Sequence, residues 1–174
     1  MDNKRLDISF FEGDAVKIAQ NLLGKIIVRR FDNGTIQRYQ INETEAYRGE
    51  EDLACHAAKG RTKRTEVMYH GGGVIYVYLV YGMYWMLNFV TSGEGFPAAV
   101  LIRGAGNISG PGRLGRELQL DKSFYGEDLS SSYRLWLENA ASISGFKSTP
   151  RIGIHYAGEW VYKKWRFICD DEKC

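Results

Sequence analysis

The chain has 174 residues, of which 44% are hydrophobic and 25% are charged, and its formal net charge is +2. This length and composition are typical of a globular domain that buries its own core, and they exclude an intrinsically disordered chain. A charge so close to neutral permits a nucleic-acid partner without indicating one. We therefore expect a single domain over residues 1–174.

Signals for export, membrane insertion and metal binding are weak. The N-terminus, MDNKRLDISFF, lacks the apolar segment of a signal peptide, and no run approaches about eighteen apolar residues. Cys55, Cys169 and Cys174 form no CxxC pair, which predicts no disulfide framework and favours a reducing compartment. The three histidines form no HxxxH motif. We expect a cytoplasmic protein with no membrane association, no metal and no cofactor.

The first predicted elements are a helix and a hairpin. Apolar residues recur at helical spacing from Gly13 to Leu23, and Gly24 is placed to end that helix. Two strand-like segments, 25–31 and 35–44, flank Asp32-Asn33-Gly34, which is a strong turn signal.

The second strand leads into the segment NETEAY. Glu43 and Glu45 point the same way on an extended strand, and Tyr47 shares their parity if the strand continues. Carboxylates beside an aromatic ring indicate either acid–base chemistry or a solvated strand end.

Acidic residues and then basic residues follow. Residues 50–58 have the composition of a helix, with acids at its start and His56 near its end. Four cations then crowd into six residues: Lys59, Arg61, Lys63 and Arg64. Such a run is either a solvated face or a loop that contacts phosphates.

Residues 71–90, GGGVIYVYLVYGMYWMLNFV, predict a hairpin whose tip is unusual. The glycines precede a strand, so we interpret them as a flexible entry to it, and the turn falls at Tyr81-Gly82-Met83. With that loop, Tyr76 lies opposite Asn88, and Tyr78 shares their face. Hairpin tips seldom carry an aromatic residue, so Tyr81 is either an exposed wedge or a residue packed under a loop.

The remaining chain predicts further strands and one helix. A short buried strand ends in Arg103, and Pro111 stands near a helix start, with Arg113 and Arg116 on one face. Residues 121–132 are loop-like, and strands are expected at residues 133–138, 151–156 and 160–168.

Seven segments then occur in a specific order over roughly residues 10–167: NLLGKIIV, ETEAYRGEEDLACH, GRTKRTEVM, YVYLVYGMYWMLN, VLIRG, GPGRL and PRIGI. In order and spacing they resemble the alkyladenine (3-methyladenine) DNA glycosylase family, base-excision enzymes similar to the mammalian alkylpurine glycosylase. The chain departs from the family at Thr62-Lys63-Arg64-Thr65, where Thr-Pro-Arg-Asn is usual.

The resemblance implies an α/β (α+β) fold with one compact domain, a mixed, largely antiparallel sheet, flanking helices and a protruding β-hairpin. It also implies a partner, double-stranded DNA that contains damaged purines. In this family the hairpin enters the minor groove, and its tip tyrosine, here Tyr81, fills the gap left by a flipped nucleotide.

Further roles follow from the same resemblance. Glu45 activates the water that attacks the sugar, and Arg103 helps to hold the flipped nucleotide and the water. Tyr47, His56 and Tyr78 sandwich the flipped base. Asn88 crowds the purine 2-position and so discourages normal guanine. Because no lysine accompanies Glu45 in its motif, we expect a monofunctional glycosylase, acting as a monomer, that leaves an abasic site and has no lyase activity. Its lesions are either cationic alkylpurines alone or also hypoxanthine and ethenoadenine.

Two other functions compete with this one. A non-catalytic nucleic-acid binder would use the tyrosines and the basic run as a stacking platform, but it has no use for Glu45 beside phosphates. A hydrolase of free nucleosides or glycosides would use Glu43 and Glu45 as an acid pair, but neighbours on one strand do not flank a scissile bond from opposite sides.

Overall fold

A thirteen-residue strand at the centre of the sheet organises the fold. The computed structural model describes residues 5–143 and 145–170. Its strands and α-helices in these residues are α1 (Ala15–Leu22), β1 (Ile26–Arg30), β2 (Ile36–Arg48), β3 (Ile75–Val80), β4 (Tyr84–Val90), β5 (Ala98–Ala105), β6 (Ile108–Ser109), α2 (Pro111–Glu117), β7 (Leu135–Glu138), β8 (Phe146–Thr149) and β9 (Arg166–Cys169). The predicted α/β fold with a largely antiparallel sheet and a protruding hairpin is confirmed.

Strand β2 reaches across the sheet because its two halves have different partners. Its first half pairs with β1, and its second half lies between β5 and β9. The main strand order is β3-β4-β5-β2-β1-β7, with every pairing antiparallel. The predicted hairpin of β1 and β2 is confirmed, and β2 runs four residues further than its pattern indicated, so that it includes the NETEAY segment.

Helix α1 covers one face of this sheet, as its spacing predicts. Asp14 caps its first turn by accepting hydrogen bonds from the Val16 and Lys17 amides. Ile18 and Leu22 are buried in the main core, where each such side chain contributes about 1.5–3 kcal/mol. Gly24 follows with a φ of 84°, the left-handed conformation that suits glycine after a helix.

Three sequence predictions of regular structure are wrong. Residues 50–58 form turns and a short 3-10 helix, His56–Lys59, rather than an α-helix. Residues 151–156 are not a strand, and residues 160–168 divide between a 3-10 helix, Gly158–Tyr162, and β9.

A buried ion pair accounts for much of this irregularity. The Arg151 guanidinium holds Asp52 through two contacts of 2.6 and 2.9 Å, with both side chains fully buried. The Asp52 carboxylate also accepts from the Arg48 and Ala54 amides. The pair therefore joins residues 50–58 to residues 151–156 through side chains, and the Ala54 amide is bonded to a side chain rather than within a helix.

Two further expectations are corrected. Two of the three glycines before β3 are packed tightly rather than being a flexible entry: a Cβ on Gly72 would lie 2.3 Å from the Phe11 carbonyl oxygen and one on Gly73 would lie 2.7 Å from Ile8 Cγ1, while Gly71 has open space around it. Cys55 is a buried free thiol, but Cys169 is disulfide-bonded, which the cysteine pattern did not predict.

Candidate active site

Glu45 is a carboxylate enclosed in the middle of the sheet. Its backbone pairs with Leu101 on β5 and with Arg166 on β9, so strands on both sides fix its position. Its side chain has no solvent exposure. One carboxylate oxygen, Oε2, accepts from the Tyr47 hydroxyl at 2.7 Å, and the other, Oε1, accepts from the Ile152 amide at 2.7 Å. A fully buried carboxylate with specific polar partners is typical of functional sites, so this one is a candidate catalytic group.

Tyr47 is held as a hydrogen-bond donor to that carboxylate. The two residues are two apart on one strand, so their side chains share a face, as the sequence predicted. Burial, followed by the charge of Glu45 and the hydrogen bond to it, raises the pKa of Tyr47 well above its ordinary value of 10. The hydroxyl therefore keeps its proton at neutral pH and orients the carboxylate.

Arg103 joins the two glutamates of the motif. Its Nη1 lies 3.6 Å from Glu45 Oε2, and its Nε lies 3.3 Å from Glu43 Oε1. Glu43 also accepts from Arg166 Nε at 2.6 Å. Glu43 is thus shared between two guanidinium groups, whereas Glu45 has one charged partner at a longer distance. Of the two carboxylates, Glu45 is better placed to act on a reacting molecule.

All three partners of Glu45 line a cavity of about 390 Å³, and so do His56, Tyr78 and Asn88. Glu45 itself lies behind this wall and is not part of it. The structure therefore brings together every residue for which the sequence predicts a role in base binding. The size and the aromatic lining suit one flat heterocycle with its sugar.

The hairpin strands β3 and β4 and the short 3-10 helix that begins at His56 provide one wall of the cavity. In the hairpin Tyr76 pairs with Asn88 and Tyr78 with Met86, which confirms the predicted register. The Asn88 amide donates to the Tyr76 carbonyl at 3.2 Å, which sets its orientation. The His56 ring lies 4.5 Å from the Tyr78 ring at an interplanar angle of 78°.

His56 is kept uncharged. Its Nδ1 is 2.8 Å from the Tyr76 hydroxyl oxygen. Burial, with smaller contributions from Arg64 and Lys59, lowers its pKa to about 4. At neutral pH the ring is therefore a neutral aromatic surface, which does not repel a cationic base.

The hairpin projects beyond the sheet and ends in an exposed tyrosine. Strands β4 and β5 are paired only from Asn88 to Val90, so the tip extends past this pairing. Tyr81 is 89% exposed, and its φ of 53° is uncommon for a residue with a side chain. Tyr81 also borders the cavity. This exposure excludes the interpretation in which Tyr81 packs under a loop, and it favours the exposed wedge.

Hydrogen bonds hold the basic loop after His56, which lacks the proline that the family usually has. The buried Thr65 hydroxyl accepts from the Thr62 amide at 2.9 Å and donates to the Gly60 carbonyl at 3.1 Å. Arg61 is paired with Glu66 through contacts of 2.9 and 2.6 Å. The other three cations, Lys59, Lys63 and Arg64, are exposed and form no ion pair within the described residues. The Arg64 guanidinium lies 5.2 Å from the centre of the Tyr78 ring.

Sequence reasoning missed three contributors to the site. The Ile152 amide is a backbone group, and no side-chain pattern marks it. Arg151 lies 4.9 Å from the Tyr47 ring centre and supports it from behind, a position that its occurrence in PRIGI alone does not reveal. Tyr156, which lines the cavity and is 61% exposed, was assigned only to a strand.

The described residues offer neither a metal site nor a membrane-spanning helix. Over residues 5–143 and 145–170, no group of three or more His, Cys, Asp or Glu side chains could hold a metal ion. No helix in the same ranges is long and apolar enough to cross a bilayer.

Comparison with known proteins gives a consistent result. The family described as methylpurine-DNA glycosylase (MPG) matches residues 9–109 and 104–173. Three similar proteins carry the name "Putative 3-methyladenine DNA glycosylase". The one from Natranaerobius thermophilus is 40% identical over 96% of this chain and 96% of its own. The one from Methanocella arvoryzae is 39% identical over 95% and 92%. The one from Ehrlichia chaffeensis is 43% identical over 94% and 92%.

Proposed function

The chain belongs to the methylpurine-DNA glycosylase family, and we propose that it is a monofunctional glycosylase that flips a damaged purine out of duplex DNA. A water activated by Glu45 then hydrolyses the N-glycosidic bond and leaves a free base and an abasic site. The observation that carries this proposal is the enclosed Glu45 carboxylate beside an aromatic cavity. A non-catalytic binder would have no reason to maintain such a group.

Glu45 can serve both parts of the reaction. Cleavage builds positive charge on the sugar, and a carboxylate stabilises that charge while it accepts a proton from the attacking water. Tyr47 and Ile152 donate the hydrogen bonds that orient it, and the Arg103 guanidinium lies 3.6 Å away as its ion-pair partner. Because these partners line the cavity and Glu45 is buried, bulk water is kept away, and the attacking water would enter through the cavity. Alkylated purines are good leaving groups, so one carboxylate suffices.

The cavity wall favours a cationic purine. Bases such as 3-methyladenine and 7-methylguanine carry positive charge in the ring, and aromatic faces attract such cations. Tyr47, the neutral His56 and Tyr78 would provide those faces. The amide of Asn88, held by the Tyr76 carbonyl, would crowd the purine 2-position, where normal guanine carries an amino group.

The exposed hairpin tip fits the extrusion step. Taking a base out of the stack costs a few kcal/mol, and an aromatic side chain that occupies the vacated space slows its return. Tyr81 stands at the cavity rim on a two-stranded ribbon, which suits this role. Lys59, Lys63 and Arg64, in the loop whose Arg64 lies over Tyr78 of the hairpin, would contact phosphates, while Arg61 is engaged with Glu66. We propose that the protein acts as a monomer on double-stranded DNA.

Base release tests the reaction. Methylated duplex DNA is incubated with the protein, and the free bases are separated by chromatography. The proposal predicts release of 3-methyladenine or 7-methylguanine, with no strand cleavage and no protein–DNA adduct on borohydride treatment. Duplexes containing hypoxanthine and ethenoadenine determine the lesion range. DNA binding without release from any of these duplexes would favour the non-catalytic binder, activity on free nucleosides would favour the hydrolase, and a borohydride adduct would refute the monofunctional mechanism.

A further inference from the structure

Unpaired cations stand beside both strands of the hairpin, with Arg64 of the basic loop against β3 and Arg116 of α2 against β4. Several exposed arginines have carboxylate partners: Arg38 pairs with Glu138, Arg48 with Asp14, and Arg61 with Glu66. Arg113 and Arg116 on α2 differ from these. Both are exposed, and within the described residues neither forms an ion pair. Their charge is therefore available to a partner.

Helix α2 is fixed rigidly against β4. The pairing of β4 with β5 ends at Asn88, and α2 packs where β4 continues toward the tip. Glycines allow this close approach, since a Cβ on Gly115 would lie 1.8 Å from the Trp85 carbonyl oxygen, and one on Gly112 would lie 3.0 Å from Tyr84 Cγ. The helix buries Leu114 in the core. The arginines are consequently carried on a stable element rather than on a loop.

The two arginines are arranged to contact neighbouring phosphates. Residues three apart on a helix have their Cβ atoms about 5–6 Å from each other, and each DNA strand carries one charge per about 3.4 Å of helix axis. The Arg116 guanidinium lies 5.3 Å from the centre of the Tyr84 ring on β4. Arg64 lies in a similar way over Tyr78 on β3. Each strand of the hairpin thus has its own stacked arginine.

We propose that the exposed face of α2 is a second phosphate-binding surface, in which Arg113 and Arg116 bind the DNA backbone on the β4 side of the hairpin. The loop of residues 59–64 binds the backbone on the β3 side. This inference rests on the proposed function, because it takes the hairpin to be the part that enters DNA. Beyond the proposed function, it specifies which surface the duplex follows past the hairpin.

The surface next to α2 suits that path. An open groove of about 930 Å³ is lined by both arginines and by neutral polar side chains: Asn33, Thr35, Gln37, Asn107, Ser109 and Gln119. Amides and hydroxyls of this kind commonly contact phosphates and sugars. Two carboxylates, Asp32 and Glu117, also line the groove. Glu117 accepts from the Tyr39 hydroxyl at 3.1 Å. Because carboxylates repel phosphates, we expect the phosphates to lie along the arginines.

Salt-dependent binding tests the proposal. The probe is a short fluorescent duplex that contains a tetrahydrofuran abasic-site analogue, which offers no base to excise. Its affinity is measured by anisotropy over a series of salt concentrations for the wild type, R113Q/R116Q, R113K/R116K and K17Q/K147Q. The last variant removes two exposed cations from α1 and β8 as a control for net charge; Lys17 forms no ion pair within the described residues, whereas Lys147 lies 4.0 Å from Asp170.

We expect R113Q/R116Q to weaken binding by roughly tenfold or more and to lower the slope of log affinity against log salt by about 2. The lysine variant should keep the slope, and the control should match the wild type. Single-turnover excision at saturating protein should stay unchanged in R113Q/R116Q, because neither arginine touches the cavity.

An unchanged slope in R113Q/R116Q, or an equal loss in K17Q/K147Q, would overturn the inference. A wild type that releases no base from lesion DNA would instead overturn the proposed function, so the two failures are distinguishable. Thermal unfolding of R113Q/R116Q shows whether a loss of binding reflects loss of fold, and the lysine variant separates charge from side-chain shape.

Discussion

Protonation of His56 connects the base pocket to the stability of the fold. The folded protein lowers the pKa of His56 to about 4, mainly by burial and then through Arg64 and Lys59, whereas an unfolded chain has a histidine pKa of about 6.5. Between these values the unfolded state binds a proton that the folded state does not. The free energy of unfolding therefore falls as the pH falls from about 6.5 to about 4, and the stability that the neutral His56 contributes is fully present above pH 6.5. A pKa difference of about 2.5 units corresponds to about 3 kcal/mol.

Denaturant unfolding of the wild type and His56→Gln, measured across this pH range, isolates that contribution. The stability of the wild type relative to the variant should fall by up to about 3 kcal/mol between pH 6.5 and pH 4. Arg64→Gln should raise the pKa of His56, as followed by the NMR signals of its ring. A stability difference that stays flat with pH, or a His56 ring that titrates near 6.5 in the folded protein, would refute the assignment of a neutral histidine to the pocket.

Three further substitutions test separate parts of the site. Tyr81→Ala should slow excision from stable base pairs by roughly 10- to 100-fold, which corresponds to the loss of one stacked ring. Excision from mismatched pairs should slow much less. Equal losses on both substrates would make Tyr81 merely structural. Asn88→Ala should increase the release of unmodified guanine relative to 7-methylguanine, and an unchanged ratio by chromatography would exclude Asn88 as the discriminating group. Arg151→Met leaves Asp52 buried without its partner and should cost about 3–5 kcal/mol. Calorimetry should then show a Tm lowered by roughly 6–20 °C, and a Tm within about 2 °C of the wild type would contradict this.

The hairpin could be predicted in detail because the information is local. Its alternation of apolar and aromatic residues, together with a three-residue loop, determines which residues lie opposite each other, and the structure has Tyr76 opposite Asn88 as expected. The shared face of Glu45 and Tyr47 follows in the same way from strand parity.

Long-range contacts to backbone and charged groups could not be predicted in this way. The amide that holds Glu45 is 107 residues away at Ile152, and the partner of Asp52 is 99 residues away at Arg151. Every residue except proline has a backbone amide, so no residue type marks the one that binds Glu45. The acidic residues of 50–58 indicate a helix start, and only the structure shows that one of them, Asp52, is instead paired with the buried Arg151. Two of the three glycines of GPGRLGREL, Gly112 and Gly115, allow close packing, but this role is recognisable only once α2 is seen against Tyr84 and Trp85.

The most direct test of the mechanism compares Glu45→Gln with the wild type and with Glu43→Gln. The amide keeps the shape of the side chain but removes its charge and its basicity. Binding to lesion duplex and release of free base are measured on the same preparations. We predict that Glu45→Gln binds the duplex and releases base at least roughly 10²- to 10⁴-fold more slowly, while Glu43→Gln retains more activity. Release by Glu45→Gln at the wild-type rate, or selective loss in Glu43→Gln, would contradict the assignment of Glu45 as the base that activates water.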